Sequence, residues 1–493
     1  MTMSMKLRSS VLWLRLSSSS LSPSQSAAID IVTSGVGSLQ DMESDLDRLG
    51  IPVTPQLVTE TIDSYRSSSV GSSRRLLRFL SWSRRSVGGV GIDDEVLNRA
   101  VRRFSETRDV TAIGIALSVL QKEGRRLDPE TFVSVVEAYV KSGRPEEAVS
   151  LFRNVEERKL LKWHDRGGEQ WSSVTAVVQA LCAKGHARKA EGVLWHHKDK
   201  AGKDAGCHRS LVLHGWSVFG NAREARRAIE EIKASGERPS LASYHDILRC
   251  VCRRNLRFNP SALVPEAVNL MAEMRSSGVP PTNVSFNILL SCLGRTRRVK
   301  EACRILLSMV RGEEGEAAAP DSVSYHIIVR LLYLTRRFDR GNKVLDQMIG
   351  QEEKGRLIPK VNARFYHDLI GILIGMENVD CALKLFERMK QRCCCENENY
   401  GLTYDLLIEK LCRNGKFDLG RELWEEAAQR GITLRCSSDL LDPLKVTRVF
   451  DPMMKPSVVQ QTPSKHIKSL LVQKKSATIF SRRKDKIRRK KVK

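Results

Sequence analysis

Eight small side chains fall in phase along this chain, and they leave few folds open to it. With Asn283 as position 1 of a unit, the same apolar pattern restarts at Pro129, Trp171, Gly206, Leu241, Ser322, Ala363 and Gly401, at spacings of 35 to 42 residues. Position 20 is Ala148, Ala190, Ala225, Ala302, Gly341, Ala382 or Gly420 in seven units. In the unit starting at Leu241 an insertion, LRFNPSALVPE, passes that place to Ala267. How closely two helix axes approach depends on side-chain size at the contact, so a small residue in phase marks a recurring helix contact.

The unit NVSFNILLSCLGRTRRVKEACRILLSMV, residues 283–310, shows what is in contact. Phe286, Leu289, Leu290 and Leu293 form one stripe at i, i+3, i+4, i+7, and Ala302, Ile305, Leu306 and Met309 form another. The Gly-Arg-Thr-Arg-Arg between them continues neither stripe and predicts a tight connection. First helices repeat the pattern, as in Phe132/Val135/Val136/Tyr139, Tyr325/Ile328/Val329/Leu332 and Tyr404/Leu407/Ile408/Leu411. Gly143, Gly185, Gly220 and Gly415 all stand at position 15, where a C′ glycine ends a helix. A ninth, degenerate unit covers roughly 94–128. A single hairpin cannot hide such stripes, whereas a stack of them can. The expected fold is an all-α solenoid of about nine helix-turn-helix repeats over 94–435, with a lead-in over 31–93 and a largely disordered basic tail over 436–493.

The charge is +25 over 493 residues, and +13 of it sits in 453–493. Such a balance asks for an acidic partner, nucleic acid or anionic lipid. No apolar run approaches the roughly 18 residues that span a bilayer, so no membrane partner is expected. Cys182, Cys250, Cys252, Cys292 and Cys412 fall inside amphipathic helices and read as small buried hydrophobes in a reducing compartment. Residues 1–30 hold Lys6, Arg8, Arg15, ten serines and no acid before Asp30, the composition of an organelle transit peptide. The Arg/Leu part precedes the Ser-rich part, which favours mitochondrion over plastid; an untargeted tail is the alternative.

The repeats LASYHDILRCVCRRN, VSYHIIVRLLYLTRRFDRGNKVLDQM and LTYDLLIEKLCRNGKFDLGRELWEEA resemble pentatricopeptide repeats of the P class, as found in plant organelles. The resemblance covers about 340 residues. It implies a right-handed α-solenoid that binds single-stranded RNA without catalysis, in transcript processing, stability, splicing or translation, with no cofactor and no small-molecule substrate. In the family, position 5 and the last residue before the next repeat select one base, and position 2 residues sandwich it. By that resemblance Asn287 with Asp321 reads uracil, Val284 and Val323 stack, and Thr175, Ser210 and Asn362 are further base-contact candidates. The other pairs, among them Val133/Gln170, His245/Thr282, His367/Tyr400 and Asp405/Arg435, are no standard combination.

Two plainer readings stand beside this one. Asp128, Ser240, Thr282, Asp321 and Asn362 each precede a first helix and would serve as N-caps. His245, His326 and His367 share one position and would form a solvated polar row. The tail SRRKDKIRRKKVK offers Arg482, Arg483, Lys484, Lys486, Arg488, Arg489, Lys490 and Lys491 as phosphate ligands, as a ribonucleoprotein arm or as a nuclear signal. Phosphate-loop and zinc-deaminase signatures are missing, and the adjacent Cys393, Cys394 and Cys395 lack zinc spacing. The other class of function is structural: a scaffold in a ribonucleoprotein such as the mitochondrial ribosome, touching ribosomal RNA and protein subunits.

Overall fold

The computed structural model describes residues 22–33, 37–65, 72–86, 93–158, 160–161, 173–197, 205–313, 315–353, 362–392 and 397–443. Among them are 22 α-helices and no β-strand; one isolated bridge joins Leu127 to Leu161. The chain divides into two bodies, 1–359 and 360–493. The first holds α1 (Pro23–Thr33), α2 (Leu39–Leu49), α3 (Pro55–Ser64), α4 (Ser72–Ser86), α5 (Asp94–Thr107), α6 (Val110–Lys122), α7 (Pro129–Lys141), α8 (Pro145–Arg158) and α9 (Ser173–Ala183). It continues with α10 (Ala187–His196), α11 (Ala205–Phe219), α12 (Ala222–Ala234), α13 (Leu241–Phe258), α14 (Leu263–Ser276), α15 (Asn283–Arg295), α16 (Val299–Arg311), α17 (Ser322–Leu334) and α18 (Phe338–Glu353). The second holds α19 (Ala363–Gly375), α20 (Val379–Arg392), α21 (Asn397–Arg413) and α22 (Phe417–Gln429).

In the first body helices pair in chain order, and each odd helix packs on the next, from α1 on α3 to α15 on α17. The second body repeats the scheme with α19 on α20, α19 on α21 and α21 on α22. The nine hairpins α5–α22 occupy the interval read as repeats. The lead-in follows the same scheme, because α3 packs on α5 and α4 on α6. Helix α1 crosses residue 30, the expected end of the leader, and buries Ala28, Ile29 and Val32. The rest of the leader and the phosphate candidates Arg482–Lys491 lie outside the described residues, as do Cys393–Cys395.

The stripes are the core. Tyr244, Tyr325, Tyr366 and Tyr404 at position 4 are sealed from solvent, as are Ala148, Ala190, Ala225, Ala267, Ala302 and Ala382 at the close approach. A Cβ on Gly420 would lie 2.9 Å from Cys412 Sγ, and one on Gly341 would run into the Tyr333 ring. All five helix cysteines singled out above are buried and free.

Every hairpin turn from α7 on, except the one with the insertion, closes in one way. The position 16 N–H donates to the position 11 carbonyl, as in Arg144 to Tyr139 (2.9 Å), Arg298 to Leu293 (3.1 Å) and Lys416 to Leu411 (2.9 Å). This bond forces position 15 into the left-handed region. Gly143, Gly185, Gly220 and Gly415 take it at φ 78°, 79°, 90° and 75°, but Arg108, Arg297, Arg336 and Glu377 take it too, at 57°, 55°, 58° and 63°. A non-glycine residue there costs about 1–2 kcal/mol. A cation at a helix C-terminus returns about 0.3–1 kcal/mol, so the arginines remain a net cost to stability. In the unit with the insertion the turn is lost: α13 runs 18 residues, and Asn255 stays helical with its amide donating to Glu266 Oε2 at 3.0 Å.

Candidate nucleic-acid interface

The N-terminal turn of each first helix carries position 2, position 5 and the cap residue before it. At α15 and α17 these converge. Asn287 Nδ2 donates to Asp321 Oδ1 at 3.0 Å, and Asn283 Nδ2 to Asp321 Oδ2 at 3.3 Å. The Ser324 hydroxyl donates to Asn287 Oδ1 at 2.6 Å. Asp321 also caps α17, accepting the Ser324 N–H at 2.8 Å. Capping and pairing therefore use one carboxylate at once. Val284 and Val323 flank the cluster at 39% and 52% exposure, far more than core valines, so two apolar surfaces face solvent beside a polar edge.

Elsewhere position 5 is engaged by the following repeat. Thr175 Oγ1 meets His208 Nε2 at 2.8 Å, His245 Nε2 meets Ser285 Oγ at 2.9 Å, and His367 Nδ1 meets Thr403 Oγ1 at 2.8 Å. The Asp405 carboxylate accepts the Arg435 and Cys436 N–H groups at 3.0 and 3.1 Å. The expected row of solvated histidines is corrected here: His245 is buried and clamped, and burial, with Arg249 adding to it, holds its pKa below the usual value. Ser210 and Val133 are half-buried, and Asn362 is exposed and caps α19 through the Phe365 N–H at 3.0 Å. Ser240 caps α13 through the Ser243 N–H at 3.1 Å, whereas Asp128 makes no side-chain cap bond.

Position 3 is the partner that the sequence reading missed. It is a hydroxyl residue in most units, Thr131, Ser173, Ser243, Ser285, Ser324 and Thr403, a regularity visible without a structure. A second Asn/Asp combination was missed as well. In the degenerate unit Asn98 holds position 5 and Asp128 ends it, but Asn98 is fully buried. Its amide donates to the Asp94 and Arg126 carbonyls at 2.8 and 3.1 Å and accepts the Asp128 N–H at 3.0 Å. That pair holds backbone.

One inter-repeat contact pairs a histidine with a carboxylate. His214 Nδ1 on α11 lies 2.7 Å from Asp246 Oδ2 on α13, and Arg249 donates to the other oxygen at 3.3 Å. The hydrogen bond to Asp246 raises the His214 pKa, against burial and Arg249. A raised histidine pKa contributes stability that is present below its unfolded value and lost as pH rises through the folded one. We expect His214→Gln to lower the denaturation midpoint at acidic pH and to leave it nearly unchanged at alkaline pH. An equal loss at both would refute the charged pair.

Among the described residues no helix is long and apolar enough to cross a membrane, and no group of three or more His, Cys, Asp or Glu could hold a metal ion. The PPR repeat model matches residues 130–160, 284–312, 365–394 and 402–432. A pentatricopeptide repeat-containing protein of Arabidopsis thaliana, designated mitochondrial, is 46% identical over 426 residues, 86% of this chain and 82% of its own length. The chain belongs to the pentatricopeptide repeat family. Small ribosomal subunit protein mL104 of the same plant is 28% identical over 393 residues, 80% of this chain and 70% of that protein. The crystal structure of the pentatricopeptide repeat protein PPR10 from maize is 15% identical, with a TM-score of 0.35, covering 90% of this chain and 72% of that one. The mitochondrial designation of the first relative agrees with the compartment expected from the Arg/Leu-then-Ser order of residues 1–30 in this PPR chain.

Proposed function

We propose that this PPR protein binds single-stranded RNA along the exposed N-terminal turns of its first helices and acts in mitochondrial transcript processing, stability, splicing or translation without catalysing a reaction. The observation that carries this reading is the Asn287–Asp321 pair between the exposed Val284 and Val323. Uracil presents one donor, N3–H, between two carbonyl acceptors. An ionised Asp accepts only, and an Asn amide still has a second N–H to give, so the two together complement that edge. Val284 and Val323 supply the apolar sandwich for a splayed base. Position 5 is committed to the next repeat in most other units, so base reading falls mainly on this step and the rest of the strand is held with little sequence preference. A leader cut ahead of Pro23 would leave α1 whole, whereas a cut at residue 30 would divide it; N-terminal sequencing of the imported protein locates the cut.

Crosslinking and sequencing of bound RNA tests the reading. Short transcript sites with uracil in fixed register support it, and broad ribosomal RNA without register refutes it. The second reading, a scaffold inside a ribonucleoprotein, is favoured by one set of observations: the clamps at Thr175, His245 and His367, which spend would-be readers on rigidity. The likeness to a protein named as a ribosomal subunit points the same way.

A further inference from the structure

The turns of α13/α14, α15/α16 and α17/α18 carry a density of arginine that neither helix packing nor base reading uses. Arg254 is paired with Glu266 at 3.1 Å and Arg298 with Glu301 at 2.6 Å. Arg257, Arg297, Arg336 and Arg337 are exposed and make no ion pair among the described residues. Their turns belong to consecutive helix pairs that pack on one another. Arg298 Nη1 donates to the Pro260 carbonyl at 2.7 Å, which fastens the middle of the insertion beside the α15/α16 turn. Arg337 and Arg340 lie near enough to the Cys303 thiol of α16 to oppose the rise that burial causes there, which sets the α17/α18 turn next along the row.

Two features of this row need an explanation beyond surface charge. Arg297 and Arg336 keep the left-handed conformation where four other repeats have glycine. Strain retained at consecutive repeats is a reason to look for a ligand, because selection for stability alone would replace it. Phe258, at the end of the over-long α13, is 74% exposed, and the Arg257 guanidinium lies 5.4 Å from its ring centre. An exposed ring with a cation over one part of it is a poor core residue and a good platform for a flat base.

We propose that this arginine edge is a second RNA contact, in which Arg257, Arg297, Arg336 and Arg337 hold phosphates and Phe258 stacks a base. It rests on the RNA-binding reading and is separate from the Asn287–Asp321 step. Guanidinium forks fit phosphate and carboxylate oxygens alike; RNA is favoured over an acidic protein surface because the exposed ring supplies a stacking face that carboxylates do not need.

The test uses the full chain and a mixed-sequence single-stranded RNA, with affinity measured across salt concentrations. In Arg257→Gln/Arg297→Gln/Arg336→Gln the log–log salt slope becomes shallower by about 2, at about 0.7 per phosphate contact on a single strand. Affinity falls alike for every RNA sequence. Phe258→Ser lowers affinity about tenfold with the slope unchanged. Arg297→Gly/Arg336→Gly guards against misfolding: it raises the melting temperature while weakening RNA binding. Unchanged slope and affinity in the triple variant overturn the proposal, as does RNA binding that persists while binding of a polyglutamate peptide is lost. Asn287→Ala, run alongside, alters base preference and not slope. If it does so while the arginine variants bind normally, only the edge falls; if the wild-type chain binds no RNA, both readings fall.

Discussion

Replacing Phe386 with alanine is expected to destabilise the second body by about 3–5 kcal/mol, the usual cost of emptying a buried phenylalanine site. The ring is fully buried on α20 and meets Tyr404 of α21 edge-on, with centroids 4.8 Å apart and planes at 87°. Lys390 Nζ lies 5.1 Å from its centroid and is tied to Glu387 and Glu426 at 2.5 and 2.9 Å, so the same ring supports an ion network. Phe386 joins a second helix to the next first helix, the contact through which one repeat stabilises another. Among its described residues this body has two hairpins over which the loss can spread. Hydrogen exchange should show lost protection across 363–429 with protection of α7–α17 kept. Phe386→Leu, which preserves most of the volume, should cost less than about 1.5 kcal/mol. A cost below about 1 kcal/mol for the alanine variant would show that the interface does not depend on this ring.

The second large effect concerns recognition. Asn287→Ala is expected to remove about 1–3 kcal/mol of discrimination for uracil at its register, about 5- to 150-fold in relative affinity. Asp321→Ala should do the same and in addition lose the α17 cap, worth about 1 kcal/mol of stability. Asp321→Asn separates the two roles. Asparagine caps as well as aspartate, so the melting midpoint holds, while an acceptor-only group becomes an amide that can also donate and the uracil preference relaxes. Binding to oligonucleotides that differ at one base reads the result. If all three variants shift every base equally, or none, capping alone explains Asp321 and the base-reading role is lost.

The two predictions differ in how far each could be read without coordinates. Phe386 lies in a stripe whose period alone marks it as core, and the small residues at position 20 of seven units, with Ala267 in the eighth, were legible as helix contacts because any larger side chain would separate the backbones. The αL turns were half legible. Glycine announced four of them, but Arg108, Arg297, Arg336 and Glu377 gave no signal, since the left-handed conformation there is imposed by the carbonyl–amide closure of the turn. The histidines misled: a polar residue at a common position reads as solvated, and only the neighbouring helix shows that His245 faces Ser285. The lead-in hairpins were hidden by connections of irregular length.

Sequence by itself determined the hairpin, its length, its core face and its family, because these depend on periods of three to four residues and on side-chain size, which are local quantities. Tertiary structure alone decided which position 5 side chains are consumed as clamps and which face solvent. It also decided that Asn287 and Asp321, 34 residues apart, share hydrogen bonds, and that the insertion sets Phe258 beside an arginine turn. Those outcomes depend on how one repeat is rotated on the next, an angle set by summed packing across the interface and written in no single unit.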